Sequence, residues 1–257
     1  MERMDGRAFD QVRPIKITYG IYGNAQGSAL FELGNTRVLC SVMLQDGVPQ
    51  FLRGMGRGWL TAEYTLLPAS TLTRTPREAA IMKRNSRSIE ISRLIGRSLR
   101  SVIDLKKLGE RTIYIDCDVL QADGGTRTAA ISGSYCALRS AATKWAQEGF
   151  LPDDLLTDTL GAISVGWTSE GPLLDINFKE DCKVDADFNF VMTGSGAMVE
   201  VQGATEAKPI SWEAVEKMHL LAFKGIKEIC SKTVQEYEKS PRPKGGIFSL
   251  GQRGIQL

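Results

Sequence analysis

An alternating stretch at residues 111–120 runs straight into a glycine pair and then into a helix built on small side chains. No other segment constrains the fold as much. Ile113, Ile115, Cys117 and Val119 recur at every second position, the period of a strand with one face buried. Asp123-Gly124-Gly125-Thr126-Arg127-Thr128 follows, and the Ala-rich run 129–147 predicts a helix. Residues 27–44 predict a hairpin, with Leu30, Val38, Cys40 and Val42 alternating on either side of a Gly34-Asn35 turn. Further strands are predicted at 162–167, 173–178, 187–193 and 197–202, and a long amphipathic helix at 211–237. Strand and helix patterns mix without regular βαβ alternation, which predicts an α+β fold of mixed sheets packed with helices. Two stretches of hairpin followed by helix suggest an internal duplication. No linker-like composition divides the chain, so a single domain is expected over residues 1–240, with a loose C-terminal tail at 241–257.

Charge is distributed unevenly along the 257 residues. Residues 1–111 carry 18 Lys and Arg against 10 Asp and Glu, a net of +8; the remainder carries 14 against 20, a net of −6. Fourteen of the 18 are arginine, whose planar fork suits phosphate. On charge alone, a nucleic-acid footprint and a solvated face with intersubunit ion pairs fit equally well. Residues 51–59 hold three glycines with Arg53 and Arg57, the composition of a flexible basic loop. Residues 74–100 hold seven arginines and one lysine against Glu78 and Glu90. Within them Ile91, Leu94, Ile95, Leu99 and Val102 keep helical spacing, while Arg93, Arg97 and Arg100 lie off that stripe. That predicts a helix with one buried face and one basic face.

Several classes are excluded. No run approaches the roughly 18 apolar residues of a membrane span. The first residues carry acids and no apolar core, which predicts neither signal nor transit peptide and a cytoplasmic protein. The five cysteines, Cys40, Cys117, Cys136, Cys182 and Cys230, are odd in number and widely spaced, against a disulfide framework or a zinc site. Cys40 and Cys117 read as small core residues. His219 is the only histidine and sits near the apolar stripe Val215, Met218, Ala222 and Ile226, so it reads as a partly buried packing residue. Histidine-dependent triads have nothing to build on.

Two elements could carry chemistry. Gly124-Gly125-Thr126-Arg127 lies between strand and helix, where free backbone N–H groups and the helix dipole favour an anion. Thr126 adds a hydroxyl and Arg127 a forked cation. The same residues also suit an ordinary capped turn, and the Walker A spacing is absent. Residues 180–187 gather Glu180, Asp181, Asp185 and Asp187. Asp185 and Asp187 share a face if that segment is extended. Such a cluster suits a hard cation such as Mg²⁺, but taken in isolation it reads better as a solvated acidic turn. A cradle for an anion and a carboxylate site for a cation form a coherent pair for phosphoryl transfer, which is chiefly positioning and charge stabilisation.

At these residues the chain resembles the RNase PH family over about Gly6 to Tyr237. The stretches that carry the resemblance are QVRP (11–14), GWLTAEYTLLP (58–68), RSIEISRLIGRSLR (87–100), DCDVLQADGGTRTA (116–129) and VEVQG (199–203). It implies the RNase PH fold, with internal pseudo-symmetry, and a homohexameric ring built as a trimer of dimers. It implies phosphate-dependent 3′-to-5′ trimming of tRNA precursors and other structured RNAs with 3′ tails, releasing nucleoside 5′-diphosphates reversibly. Inorganic phosphate is then the co-substrate, held by Arg87, Gly125, Thr126 and Arg127. Asp181 and Asp187 become the metal-binding and catalytic carboxylates for Mg²⁺ or Mn²⁺, with Asp185 supporting. Arg53, Arg57, Arg74, Arg77 and Arg93 resemble surfaces used for RNA contact or ring assembly. The family's usual LPRST reads Leu67-Pro68-Ala69-Ser70-Thr71, one basic residue fewer. A non-catalytic RNA-binding ring subunit and a hydrolytic metal-dependent nuclease are the competing readings.

Overall fold

Two sheets meet on one helix. The computed structural model describes residues 3, 5–78, 85–206 and 208–240; the tail predicted at 241–257 lies outside them. The first sheet contains β1 (Ile15–Tyr19), β2 (Gly27–Leu33), β3 (Thr36–Asp46), β4 (Trp59–Leu66) and β5 (Arg111–Gln121), in the order β1-β2-β3-β5-β4. Its neighbours run antiparallel, except that β4 is parallel to β5. The second, fully antiparallel, contains β6 (Leu160–Thr168), β7 (Gly171–Leu174), β8 (Ala186–Thr193) and β9 (Met198–Thr205), in the order β7-β6-β8-β9. The helices are α1 (Ser86–Arg100), α2 (Leu105–Leu108), α3 (Thr126–Gln147), α4 (Phe178–Asp181) and α5 (Trp212–Lys239). This is the α+β arrangement that the pattern predicts.

The alternation of β5 is realised with Ile113, Ile115, Cys117 and Val119 buried, and Cys40 of β3 stands opposite Cys117. The hairpin turn falls at Gly34-Asn35 as predicted. Cys40, Cys117, Cys136 and Cys230 are buried free thiols, and Cys182 is exposed. Burial pushes the Cys40 thiol well above its ordinary range, as suits a packing residue. The strand predicted at 173–178 is shorter, because β7 ends at Leu174. Asp175 then adopts φ 53°, a left-handed conformation, and Asn177 caps α4. β1 buries only Ile17, while β4 buries Leu60, Ala62 and Tyr64, where a small and a hydroxyl-bearing residue thin the apolar signal.

α3 explains why the chain spends so much alanine, serine and glycine there. It packs on β2 and β3 on one side and on β6 on the other, and 16 of its residues are buried, so no polar stripe is left. α1 covers β4, and α5 lies on β6 and β7. One continuous core joins both sheets through these helices. His219 packs beside Phe190, ring centroids 6.2 Å apart. Among the described residues no helix is long and apolar enough to cross a membrane.

Small size is a requirement at Gly133. A Cβ there would lie 2.9 Å from Phe31 Cβ and 3.0 Å from Cys40 Sγ, both fixed on the sheet. Gly133→Ala is therefore expected to cost about 1–3 kcal/mol by overpacking. The expected readout is a lower urea midpoint with an unchanged slope.

Candidate active site

The Gly loop is held from behind before it can hold anything in front. Gly124 and Gly125 take φ 72° and 65°, a conformation that side chains disfavour. A Cβ on Gly124 would come within 2.8 Å of the backbone at Ile176 and Phe178, so the loop lies directly against the segment leading into α4. Thr36 Oγ1 donates to the Gly124 carbonyl at 2.7 Å. The Asp123 carboxylate accepts from Asn35 Nδ2 at 3.1 Å and from the Phe178 N–H at 3.4 Å, joining the hairpin turn to α4.

Arg13 is the central clamp. It is 4% exposed and makes a two-pronged bond to Asp175, Nε to Oδ2 at 2.9 Å and Nη2 to Oδ1 at 2.7 Å. Its Nη1 donates to the Asp123 carbonyl at 2.6 Å. Arg3 does the same one turn along, donating to both oxygens of Glu180 at 2.8 Å. Glu180 also closes the capping box of α4 with Asn177. Glu180, one of the four acids grouped at 180–187, is thus a structural counter-ion.

α4 ends at Asp181, and there the two candidate elements meet. Burial and the Asp187 carboxylate push the Asp181 carboxyl above the usual aspartate range, while the Arg87 and Arg127 cations pull it down. Glu206, which the sequence did not single out, adds repulsion. Asp187 is held in β8 between Gly166 of β6 and Ala204 of β9. Asp185 lies half-buried at the entry to β8, its N–H donating to the Trp167 carbonyl and its carbonyl accepting from Glu206 N–H. Among the described residues no three acidic, histidine or cysteine side chains form a metal cage. A repelling pair of carboxylates is nonetheless the donor set that Mg²⁺ takes when it keeps waters and phosphate oxygens as its other ligands.

Gly125 is the N-cap of α3 and no side chain caps the helix there, so its first N–H groups and dipole favour an anion. Thr126 opens the helix and accepts from the Tyr64 phenol at 2.9 Å. Arg127 Nη1 donates to Gln202 Oε1 at 3.0 Å and lies 3.7 Å from Glu90. Arg87 stands in the first turn of α1, capped by Asn85.

Two models of the 3′ exoribonuclease family match, domain 1 at residues 11–144 and domain 2 at 158–225. The chain belongs to the RNase PH family. It is 50% identical to Ribonuclease PH of Bacillus pumilus across 90% of this chain and 96% of that protein. It is 51% identical to Ribonuclease PH of Syntrophomonas wolfei across 89% and 96%. Among solved structures, the Archaeoglobus fulgidus exosome with RNA bound to the active site superimposes with a TM-score of 0.75 at 22% identity, covering 92% of each chain. An archaeal exosome core gives 0.71 at 21% identity, covering 91% of each. At that identity the likeness is one of fold.

The basic surface of this RNase PH family member is smaller than its sequence implies. Arg97 makes a two-pronged pair with Glu200, and Arg100 lies over the Trp59 ring at 4.4 Å while donating to the Leu60 carbonyl. Of the three arginines off the α1 stripe, Arg93 is exposed and has no such anchor among the described residues. Arg53 and Arg57 are exposed in a loop pinned by Glu110, which accepts from the Gly54 N–H at 2.6 Å. Arg74 and Arg77 are also exposed, and Arg77 lies near enough to Asp118 to lower its carboxyl, which burial raises. Tyr64, Glu90, Gln202 and Arg13 were missed as site residues. The available signal was position: Glu90 is one helical turn from Arg87, and Tyr64, Arg13 and Gln202 lie inside the stretches AEYTLLP, QVRP and VEVQG.

The raised Asp181 carboxyl has a measurable cost. A carboxyl raised in the folded state destabilises at neutral pH, where it is charged, and costs nothing once protonated in both states. Without added metal, Asp181→Asn is expected to raise the melting temperature at pH 7. That gain should shrink as pH falls towards about 4. Melting curves of both proteins across that range in chelator would check it.

Proposed function

We propose that this chain is a cytoplasmic, phosphate-dependent 3′-to-5′ exoribonuclease that trims tRNA precursors and other structured RNAs with 3′ tails, working as a homohexamer. The observation that carries the reading is the neighbourhood of Asp181, where the cations of the Gly loop and of α1 act on the same carboxyl as Asp187 does. Membership of the RNase PH family supports the chemistry. The continuous core supports treating residues 1–240 as one functional domain.

Arg87, Thr126, Arg127 and the backbone at Gly125 hold inorganic phosphate at the uncapped start of α3. Gln202 and Glu90 fix the plane of the Arg127 guanidinium, so its fork is oriented before the anion arrives. A phosphate oxygen attacks the phosphorus of the last linkage, and the 3′-oxygen of the preceding ribose leaves. The departing unit is a nucleoside 5′-diphosphate whose β-phosphoryl was the attacking phosphate, and the same geometry runs in reverse. Asp181 and Asp187, with Asp185 in support, would hold Mg²⁺ or Mn²⁺, which neutralises charge on the transferred phosphoryl group and the leaving oxygen. Arg53, Arg57, Arg74, Arg77 and Arg93 contact the RNA backbone or a neighbouring subunit, so RNA affinity falls with salt.

The decisive assay offers a short 3′-tailed RNA with and without phosphate. Wild-type protein is expected to release diphosphates only when phosphate is present. Arg127→Ala is expected to lose about 10³-fold or more in rate, the scale of arginines that stabilise phosphoryl-transfer charge. Monophosphates without phosphate would make it a hydrolase, and no products at all would make it a non-catalytic ring subunit.

A further inference from the structure

Tyr64 is an odd choice for its position. It lies in β4 opposite Cys117, 4% exposed, with Leu60 and Ala62 preceding it on the same buried face. Phenylalanine would fill that space, and a buried hydroxyl costs free energy unless it is bonded. Among the described residues its hydroxyl makes one hydrogen bond, to Thr126, itself 7% exposed. Burial pushes the Tyr64 phenol above its ordinary range, partly offset by that bond and by the Arg87 and Arg127 cations, so it stays a donor.

A threonine hydroxyl has one proton to give and two lone pairs to receive with. Tyr64 occupies a lone pair of Thr126, and among the described residues no protein atom accepts the Thr126 proton. That proton is therefore left for whatever binds at the head of α3. We infer that Tyr64 is a positioning residue for phosphate, committing Thr126 Oγ1 to act as a donor towards the bound anion. The inference rests on the phosphate site proposed above. Without Tyr64 the Thr126 hydroxyl is free to rotate and to present a lone pair to the anion, which repels it. Because the attacking phosphate becomes the β-phosphoryl of the product, the same commitment applies to a nucleoside diphosphate in the reverse reaction.

The test is Tyr64→Phe in the full chain, with phosphorolysis and reverse polymerisation measured under the same conditions. KM for phosphate and KM for nucleoside diphosphate are expected to rise together by roughly fivefold, the worth of one hydrogen bond, with KM for RNA unchanged. A merely structural role would move all three. In a Thr126→Val background, Tyr64→Phe should add nothing further. Thr126→Val alone keeps Tyr64 and must raise the same two constants, so wild-type values there overturn the inference even if Tyr64→Phe fails to fold. Wild-type phosphate KM in a folded Tyr64→Phe protein also overturns it. If Arg127→Ala is impaired while Tyr64→Phe is silent, this inference alone falls; if both are silent, the phosphate site itself is misplaced.

Discussion

The buried pair between Arg13 and Asp175 is the contact on which the site geometry depends. Burial alone would weaken the Arg13 charge, but the facing Asp175 carboxylate reverses that and holds the guanidinium firmly protonated. Asp175 is fully buried in a left-handed conformation that a non-glycine residue adopts only when its surroundings enforce it. Removing one partner would leave an uncompensated buried charge, at about 3–5 kcal/mol. The arginine also donates to the Asp123 carbonyl, so one side chain fixes the Gly loop and the approach to α4 together. Arg3 and Glu180 repeat the device at α4 itself, and Arg7 adds a bond to the Asp175 carbonyl at 3.1 Å. The Gly loop and Asp181 are neighbours because arginines near the N-terminus tie their supports together.

This pairing also accounts for the uneven charge along the chain. Cations of the basic half meet acids of the acidic half: Arg3 with Glu180, Arg13 with Asp175, Arg97 with Glu200. Lys224 and Asp10 make the same crossing in the opposite sense. Part of the asymmetry is thus used in pairs that join the first sheet's half to the second's, two of them buried. Arg87 and Arg127 are the cations whose fields converge on Asp181, and Arg53, Arg57, Arg74, Arg77 and Arg93 are left outside. Arginine content alone could not separate these groups, since a buried counter-ion and an RNA contact look identical in sequence.

Local periodicity was a reliable guide wherever the element faced one way. β5, the Gly34-Asn35 hairpin and α5 were legible because apolar and polar positions alternate at a fixed period. Legibility failed where a long-range contact overrides the local pattern. The strand expected through Phe178 stops at Leu174, where Asp175 turns left-handed and pairs with Arg13. Glu180, grouped in sequence with the acids at 180–187, is the partner of Arg3. For the site, residue types and spacing indicated the Gly124–Arg127 loop and the four acids at 180–187, and the resemblance singled out Asp181 and Asp187 and added Arg87. Their supports, Tyr64, Gln202, Glu90 and Arg13, lie inside the family-like stretches, but which atom each one holds shows only in three dimensions.

The positions that break local rules gather in one place. Asp175 is strained, α3 begins without a side-chain cap, and Asp181 is held near a second carboxylate above its usual range. Each is unfavourable for folding taken alone, and such departures concentrate where function requires them. An uncapped helix start gains its missing partner when an anion binds, and two repelling carboxylates gain theirs when a cation binds. The folded chain therefore carries two unmet electrostatic demands of opposite sign side by side. Phosphate and a divalent ion at the end of an RNA strand would satisfy both at once. His219, the one histidine, is half-buried beside Phe190.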